Sequence, residues 1–416
     1  DSDESWTDWR GYQQVEVHTG TRSNAASTYY WLYRGMDGDR TSKTDSSATR
    51  SVSVTDGQGT SHTDSAWLRG KVIETSQRDG AGNSHQRVFH DYWVHDTAVY
   101  DGLPDARFVR ETKTTTSTLV SSGWRDHVVE DQYDATSDTS AKFGLPLRTN
   151  DWGEVNVDDN RCTVYGRAYD TDYFPGSDVQ RWMVLPDETI HHSSDCASRT
   201  DANRDAYQVN LYDNATDVAT DKPTDGNITK ALAYDTASHA RTTTTGYDAA
   251  GRVKSSSDGK GNITTTVYNS PNNAWPTDGV VVTSPDPDGS GALTAQTTTT
   301  WYSRLWGNPY KIVDANNRET RIVDDSVGRL SQVFKPTEIA NYPDGHPSMA
   351  FSYDIPTATN SDGVPTLVTG AALVTSKTLL SGTTDLASYV YYDGLGRSRE
   401  TQTPAAGGTG RTVVAT

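Results

Sequence analysis

The residues able to do chemistry are many, and some sit where a turn explains them. The chain carries 55 Asp and Glu side chains, and any facing pair could in principle supply the acid and base of a glycoside hydrolysis. Nine of them, however, occupy Asp-x-x-Gly positions, where a carboxylate closes a tight turn. His191-His192 followed by Asp195 invites a metal or a proton transfer. Adjacent residues of a strand point to opposite faces, though, and the His-x-x-x-His spacing of helical zinc sites is absent, so the pair reads as surface histidines. Asp286-Pro287-Asp288-Gly289-Ser290-Gly291 begins like a calcium loop. Its twelfth position is Thr297 where a bidentate carboxylate is needed, so it reads as a solvated turn. No Gly-x-Ser-x-Gly elbow and no Gly-x-x-x-x-Gly-Lys loop occurs. The expectation is a chain that is not an enzyme, with no catalytic residue, metal or cofactor.

Two residue types leave alternatives open. Cys162 and Cys196 lack CxxC spacing and neighbouring histidine clusters, which speaks against a metal site. They are either free thiols or a disulfide. On a chain-entropy view such a bridge would add roughly 3–4 kcal/mol and would place the protein outside the cytosol. Trp6, Trp9, Trp124, Trp152 and Trp275 could stack on sugars in an extracellular protein, or pack against a sheet.

The elements that must carry these residues follow from composition. Leu, Ile, Val and Phe make up about 16% of the chain, below the roughly 20% that marks a foldable composition. Yet 22 Tyr and 11 Trp stand beside only 6 Phe, and disordered chains are poor in rings. An ordered chain built from amphipathic rings, Thr and Val suits the half-wet surface of a pleated sheet. A net charge of −18 argues against nucleic acid or another phosphate-rich partner. No apolar run is long enough to span a bilayer as a helix. Asp1 is preceded by neither Met nor a leader, the pattern expected of an excised or processed piece.

Internal repetition is the strongest signal. Tyr247-Asp248-Ala249-Ala250-Gly251-Arg252 returns as Tyr392-Asp393-Gly394-Leu395-Gly396-Arg397, and more faintly as Asp324-Asp325-Ser326-Val327-Gly328-Arg329. Gly307 precedes Asp314 as Gly251 precedes Asp258, and Gly307 and Gly328 lie as far apart as Tyr247 and Tyr268. Asp258-Gly259-Lys260-Gly261-Asn262 and Asp314-Ala315-Asn316-Asn317-Arg318 supply the positive φ and side-chain hydrogen bonds of hairpin tips. Between the tips run strand-like stretches such as Ile263–Tyr268 and Pro309–Val313. One repeat makes about one hairpin. A lone hairpin is marginal in water, so successive units must pair edge to edge. Tyrosines one repeat apart can form ladders over the glycines, and Arg252, Arg329 and Arg397 can lie across a Tyr or pair with an Asp.

The unit Tyr-Asp-x-x-Gly-Arg, a polar spacer, Asp-x-x-Gly-Asn and a Thr-bearing strand resembles the YD repeat of the RHS (rearrangement hotspot) family. Clear copies run from about Tyr234 to Thr416. Looser matches lie at Tyr133-Asp134, Tyr100-Asp101-Gly102-Leu103-Pro104, Asp79-Gly80-Ala81-Gly82-Asn83 and Asp56-Gly57-Gln58-Gly59. The opening, Trp9-Arg10-Gly11-Tyr12 through Val17 with Tyr33-Arg34-Gly35-Met36-Asp37-Gly38-Asp39, resembles the segment that introduces the repeat shell in large bacterial RHS proteins and in Tc toxin complexes. The cysteine region, with Trp182 and Pro186, resembles actinobacterial members.

The resemblance implies an all-β fold in which YD-repeat hairpins wind into a spiral sheet forming part of a hollow shell. Residues 1–232 would be a divergent N-terminal part, and 233–416 a regular array truncated at its C-terminal end. No RHS core with a self-cleaving aspartate is recognisable, and no toxin domain is present, so no catalytic residue carries over. The implied function is a structural, encapsulating segment whose partners are the rest of the parent RHS chain and an enclosed toxin cargo, secreted or at the cell surface. The alternative is an extracellular carbohydrate- or receptor-binding adhesion module of teneurin type, with surface glycans as partners.

Overall fold

The computed structural model describes residues 9–20, 25–42, 44–45, 47–98, 106–136, 140–155, 157–174, 176–180, 182–236, 239–269, 278–289, 294–359, 365–367, 370–405 and 410–415. Among these residues the helical pieces are single 3-10 turns at Ala66–Leu68, Asp201–Asn203, Val218–Thr220 and Ile339–Asn341. Everything else that is regular is strand, as the ring-, Thr- and Val-rich composition predicts. The chain divides into two compact units, Asp1–Thr243 and Thr244–Thr416.

The first unit begins with β1 (Gln14–Thr19), β2 (Ala26–Leu32), β3 (Ser53–Thr55), β4 (Ser61–Thr63), β5 (Val72–Arg78), β6 (Ser84–Ala98) and β7 (Ala106–Val120). It continues with β8 (Gly123–Tyr133), β9 (Pro146–Glu154), β10 (Arg161–Asp170), β11 (Met183–His192), β12 (Arg204–Tyr212) and β13 (Ile228–Thr236). From β5 onward each strand pairs antiparallel with the next, and β2 joins β1 to β5. The β3–β4 hairpin stands apart as its own two-stranded ribbon. Beneath it lies a small core of Trp31, Tyr33, Val54, Leu68 and Ile73, with Tyr29, Tyr92, Val94 and Val109 packed around it. The rings do most of the filling, because aliphatic side chains are scarce.

Strand β14 (His239–Tyr247) contains the division between the units. The second unit runs through β15 (Val253–Ser257), β16 (Ile263–Asn269), β17 (Gly279–Thr283), β18 (Thr297–Tyr302), β19 (Pro309–Val313), β20 (Glu319–Asp324) and β21 (Leu330–Phe334). It ends with β22 (Met349–Asp354), β23 (Thr357–Thr359), β24 (Pro365–Leu367), β25 (Ala372–Ser381), β26 (Thr384–Tyr392), β27 (Ser398–Pro404) and β28 (Arg411–Ala415). Again the ladder is antiparallel and in chain order, with β22 pairing β25 across the separate β23–β24 hairpin. Strand β16 alternates between exposed and half-buried positions without one that is fully buried. Among the described apolar side chains of this unit, Phe334 alone is buried. The expected all-β array of hairpins, each strand lying beside its sequence neighbours, is therefore present.

Candidate functional site

The repeat motif is a turn held by one carboxylate. Between β14 and β15 the amide of Asp248 donates to the carbonyl of Arg252 at 2.9 Å and that of Gly251 to the carbonyl of Asp248 at 3.0 Å. Gly251 adopts φ +75°, and the pairing slips by one residue at Gly246 and Tyr247, as a left-handed residue in a hairpin bulge requires. Asp248 Oδ1 accepts the amides of Ala250 and Arg252, each at 2.9 Å, and Oδ2 accepts Arg252 Nε at 2.7 Å. The same three bonds recur at Asp325, from Val327, Arg329 and the Arg329 guanidinium, and at Asp393, from Leu395, Arg397 and the Arg397 guanidinium. The backbone amide of the arginine, seconded by its guanidinium, holds Asp248, Asp325 and Asp393 below the usual carboxylate range.

The second half of the repeat uses the same geometry. Asp258 accepts the amides of Lys260 and Asn262 and the Asn262 side chain. At Asp314 the left-handed position is filled by Asn317, φ +57°, a residue that tolerates it. The looser upstream matches close alike: Asp79 accepts the amides of Ala81 and Asn83, and Asp56 those of Gln58 and Thr60.

Two of the three arginines also reach into the following hairpin. The Arg252 guanidinium lies 4.5 Å from the centre of the Tyr268 ring, and Tyr268 donates its hydroxyl to the carbonyl of Val253 at 3.0 Å. Arg329 lies 4.4 Å from the Tyr353 ring, and Tyr353 donates to the carbonyl of Leu330 at 2.9 Å. The cation rests on the ring face while the phenol ties down the residue after it. Sequence reasoning missed a third instance in the first unit, where Lys71 lies 5.8 Å from the Tyr92 ring and Tyr92 donates to the carbonyl of Val72. A glycine, a basic residue and an aliphatic one, Gly70-Lys71-Val72, is the signal that could have found it. A tyrosine stacked on a tyrosine occurs in the first unit, between Tyr207 and Tyr234 at 4.7 Å. At Arg252 and Arg329 it is the guanidinium that meets the ring.

The glycines differ among themselves. A Cβ at Gly251 or Gly396 would meet open space, so only the positive φ demands glycine there. At Gly328, φ +83°, a Cβ would also lie 2.6 Å from the Trp306 indole. Gly307 belongs to a longer loop, Ser303–Asn308, whose Asn308 side chain donates to the Gly328 carbonyl and to Asp324. Tyr247 and Tyr392 each stand next to their turn aspartate at the end of a strand.

In the first unit Cys162 and Cys196 form a disulfide with Cα atoms 4.9 Å apart, both nearly inaccessible. It ties β10 to the loop after β11. Among the buried acids of this unit, three have a raised pKa. Glu74 accepts the Gly57 amide and the Gln58 side chain, and burial raises its pKa. Burial, with Glu188 next to it, pushes Asp187 up to about 6, and burial also raises Asp221, whose Oδ2 accepts the Tyr212 amide. Between the last two, Tyr212 is pushed up to about 12 by its own burial and by both carboxylates. Among the described residues no three His, Cys, Asp or Glu side chains group as metal ligands.

One open pocket of about 520 Å³ lies in the second unit, lined by Asp278, Tyr302, Ser303, Arg304 and Tyr310. Asp278 stands just before β17 and is clamped by Arg304 through two bonds of 2.5 Å. Arg304 holds the Asp278 carboxyl below its usual range.

No protein-family model and no curated protein matches the chain. Solved structures do match in shape. TcdB2-TccC3 without its hypervariable C-terminal region superposes with a TM-score of 0.59 at 11% identity, over 95% of this chain and 27% of that one. TcdB2-TccC3-TEV gives 0.58 at 12% identity with the same coverage. The fold is that of a stretch of TcdB2-TccC3. The chain spans about a quarter of the length of TcdB2-TccC3, and the likeness lies in backbone course, because so few side chains are shared.

The remaining singled-out residues take structural places. His191 is exposed and bonds Thr163, but His192 is buried, with Nδ1 near the Thr200 carbonyl and the Asn203 side chain. The expectation of two surface histidines is corrected for His192, which fastens the loop after β11. Asp195 caps that loop through the amides of Ala197 and Ser198. Asp286 accepts the Asp288 amide as a turn residue does. Trp9, Trp124 and Trp152 are exposed, Trp124 beneath the Arg87 guanidinium and Trp152 bonded to Glu130. Trp6, Trp275, Ser290, Gly291, Thr416 and the match at Tyr100–Pro104 lie outside the described residues.

Proposed function

We propose that this chain is a segment of an encapsulating wall in a longer protein, structural and without enzymatic activity of its own. In the parent, the wall encloses a C-terminal toxin or effector. The observation that carries this reading is the strand order. Among the described residues each hairpin lies beside the next in chain order, in a chain of which 95% superposes on TcdB2-TccC3. A sheet extended in this way needs no dry core on both faces and leaves unpaired backbone only at its ends. The Cys162–Cys196 disulfide supports a location outside the cytosol, secreted or at the cell surface.

Limited proteolysis of the full-length parent tests the reading. The region following the wall is expected to survive protease while the wall is intact and to be digested once denaturant opens it. Digestion at equal rates in both conditions would overturn containment.

A further inference from the structure

We propose that the pocket at the Ser303–Asn308 loop is a binding site for a neutral saccharide. This goes beyond the wall reading and does not depend on any cargo. Tyr302 closes β18 and Tyr310 lies in β19, and both line the same pocket. Neither hydroxyl has a hydrogen-bond partner among the described residues. Opposite them stands the Asp278–Arg304 pair. Each carboxylate oxygen spends one lone pair on the guanidinium and keeps another, and the guanidinium keeps N–H groups beyond the two that it uses. The pair therefore presents fixed acceptors beside fixed donors. That pattern matches the adjacent hydroxyls of a sugar ring, whose C–H face can lie on a tyrosine.

Two of the lining residues, Asp278 and Tyr302, are positioned by backbone as well. The Asp278 amide donates to the Asn269 carbonyl and the Tyr302 amide to that of Asp278, so both residues are held by the ladder. Charge selects the class of sugar. Arg304 is neutralised by Asp278 and the chain as a whole carries −18, which disfavours sialylated, sulfated or phosphorylated ligands. At about 520 Å³ the pocket lies within the range of ordinary small-ligand sites.

Saturation-transfer NMR on the 416-residue chain with maltose, cellobiose and lactose tests this, with sialyllactose as the anionic comparator. Transfer to at least one neutral disaccharide is expected. Binding should weaken by about tenfold in Asp278→Asn and in Tyr310→Ala and stay unchanged in Leu395→Ala, a residue exposed on a distant turn. Should Tyr310→Ala lose its β-sheet circular dichroism, Tyr310→Phe keeps the ring and isolates the hydroxyl. No transfer from any neutral disaccharide, transfer that Asp278→Asn leaves untouched, or preference for sialyllactose would each overturn the assignment. The proteolysis of the parent reads the wall alone, so failure of one experiment leaves the other standing.

Discussion

The two units build sheet from the same turn and stabilise it differently. In the first, β6 and β7 are 15 residues long, a ring-rich core is buried, and a disulfide and several buried acids lie off the repeat pattern. In the second, strands β15 to β22 are five to seven residues long and, among the described residues, Phe334 is the buried apolar side chain. There the aspartate turns and the arginine-on-tyrosine staples must hold what a core does not. Regular repetition thus goes with local stabilisation, and its loss goes with long-range contacts that each occur once.

Removing the disulfide should separate the units most. Cys162→Ala with Cys196→Ala is expected to cost about 3–4 kcal/mol on the chain-entropy model. Hydrogen exchange followed by mass spectrometry should show faster exchange across β9 to β12, with β15 to β21 unchanged. Equal loosening of both units would break the comparison.

The turns should matter most in the second unit. Gly251→Ala forces a left-handed residue at φ +75° and should cost about 1–2 kcal/mol. Gly328→Ala carries that cost and must displace Trp306 as well, so the larger loss of thermal stability is expected there. Equal losses would mean that the Trp306 contact contributes nothing.

What could be read in advance follows the range of the interactions. Asp248 makes all its bonds within four residues, so Tyr-Asp-x-x-Gly-Arg carries its own structure and the all-β hairpin array was legible. The tyrosine receiving each guanidinium lies a whole hairpin away, 15 residues from Val253 to Tyr268 and 23 from Leu330 to Tyr353, and varying spacing blurs the pattern. Glu74, Asp187 and the Asp278–Arg304 clamp were not legible at all. Nothing in the local sequence separates a buried or paired aspartate from the many that close turns, because their setting is created by strands distant in sequence.

The smallest effect expected is on pH, and it sets three raised acids of the first unit against the turn aspartates, which are shifted down in both units. Burial raises the pKa of Glu74, Asp187 and Asp221 above that of the unfolded chain. Such a group contributes stability below the unfolded carboxylate pKa and loses it as pH rises through the folded value. With Asp187 at about 6, lowering pH from 7 to 5 should strengthen the first unit by about 1 kcal/mol. Asp248, Asp258, Asp325 and Asp393 are shifted down, so their support is complete above the unfolded pKa and fades as pH falls through the folded values, below about 4. Hydrogen exchange at pH 7 and pH 5, corrected for intrinsic rates, should show slower opening of β11 and β12 at pH 5 and no change at the Asp248 and Asp325 turns. Asp187→Asn should remove most of that gain, since the amide stays neutral at both pH values. If the variant keeps the whole gain, burial of Asp187 is not its source and the contrast between the units is one of packing alone.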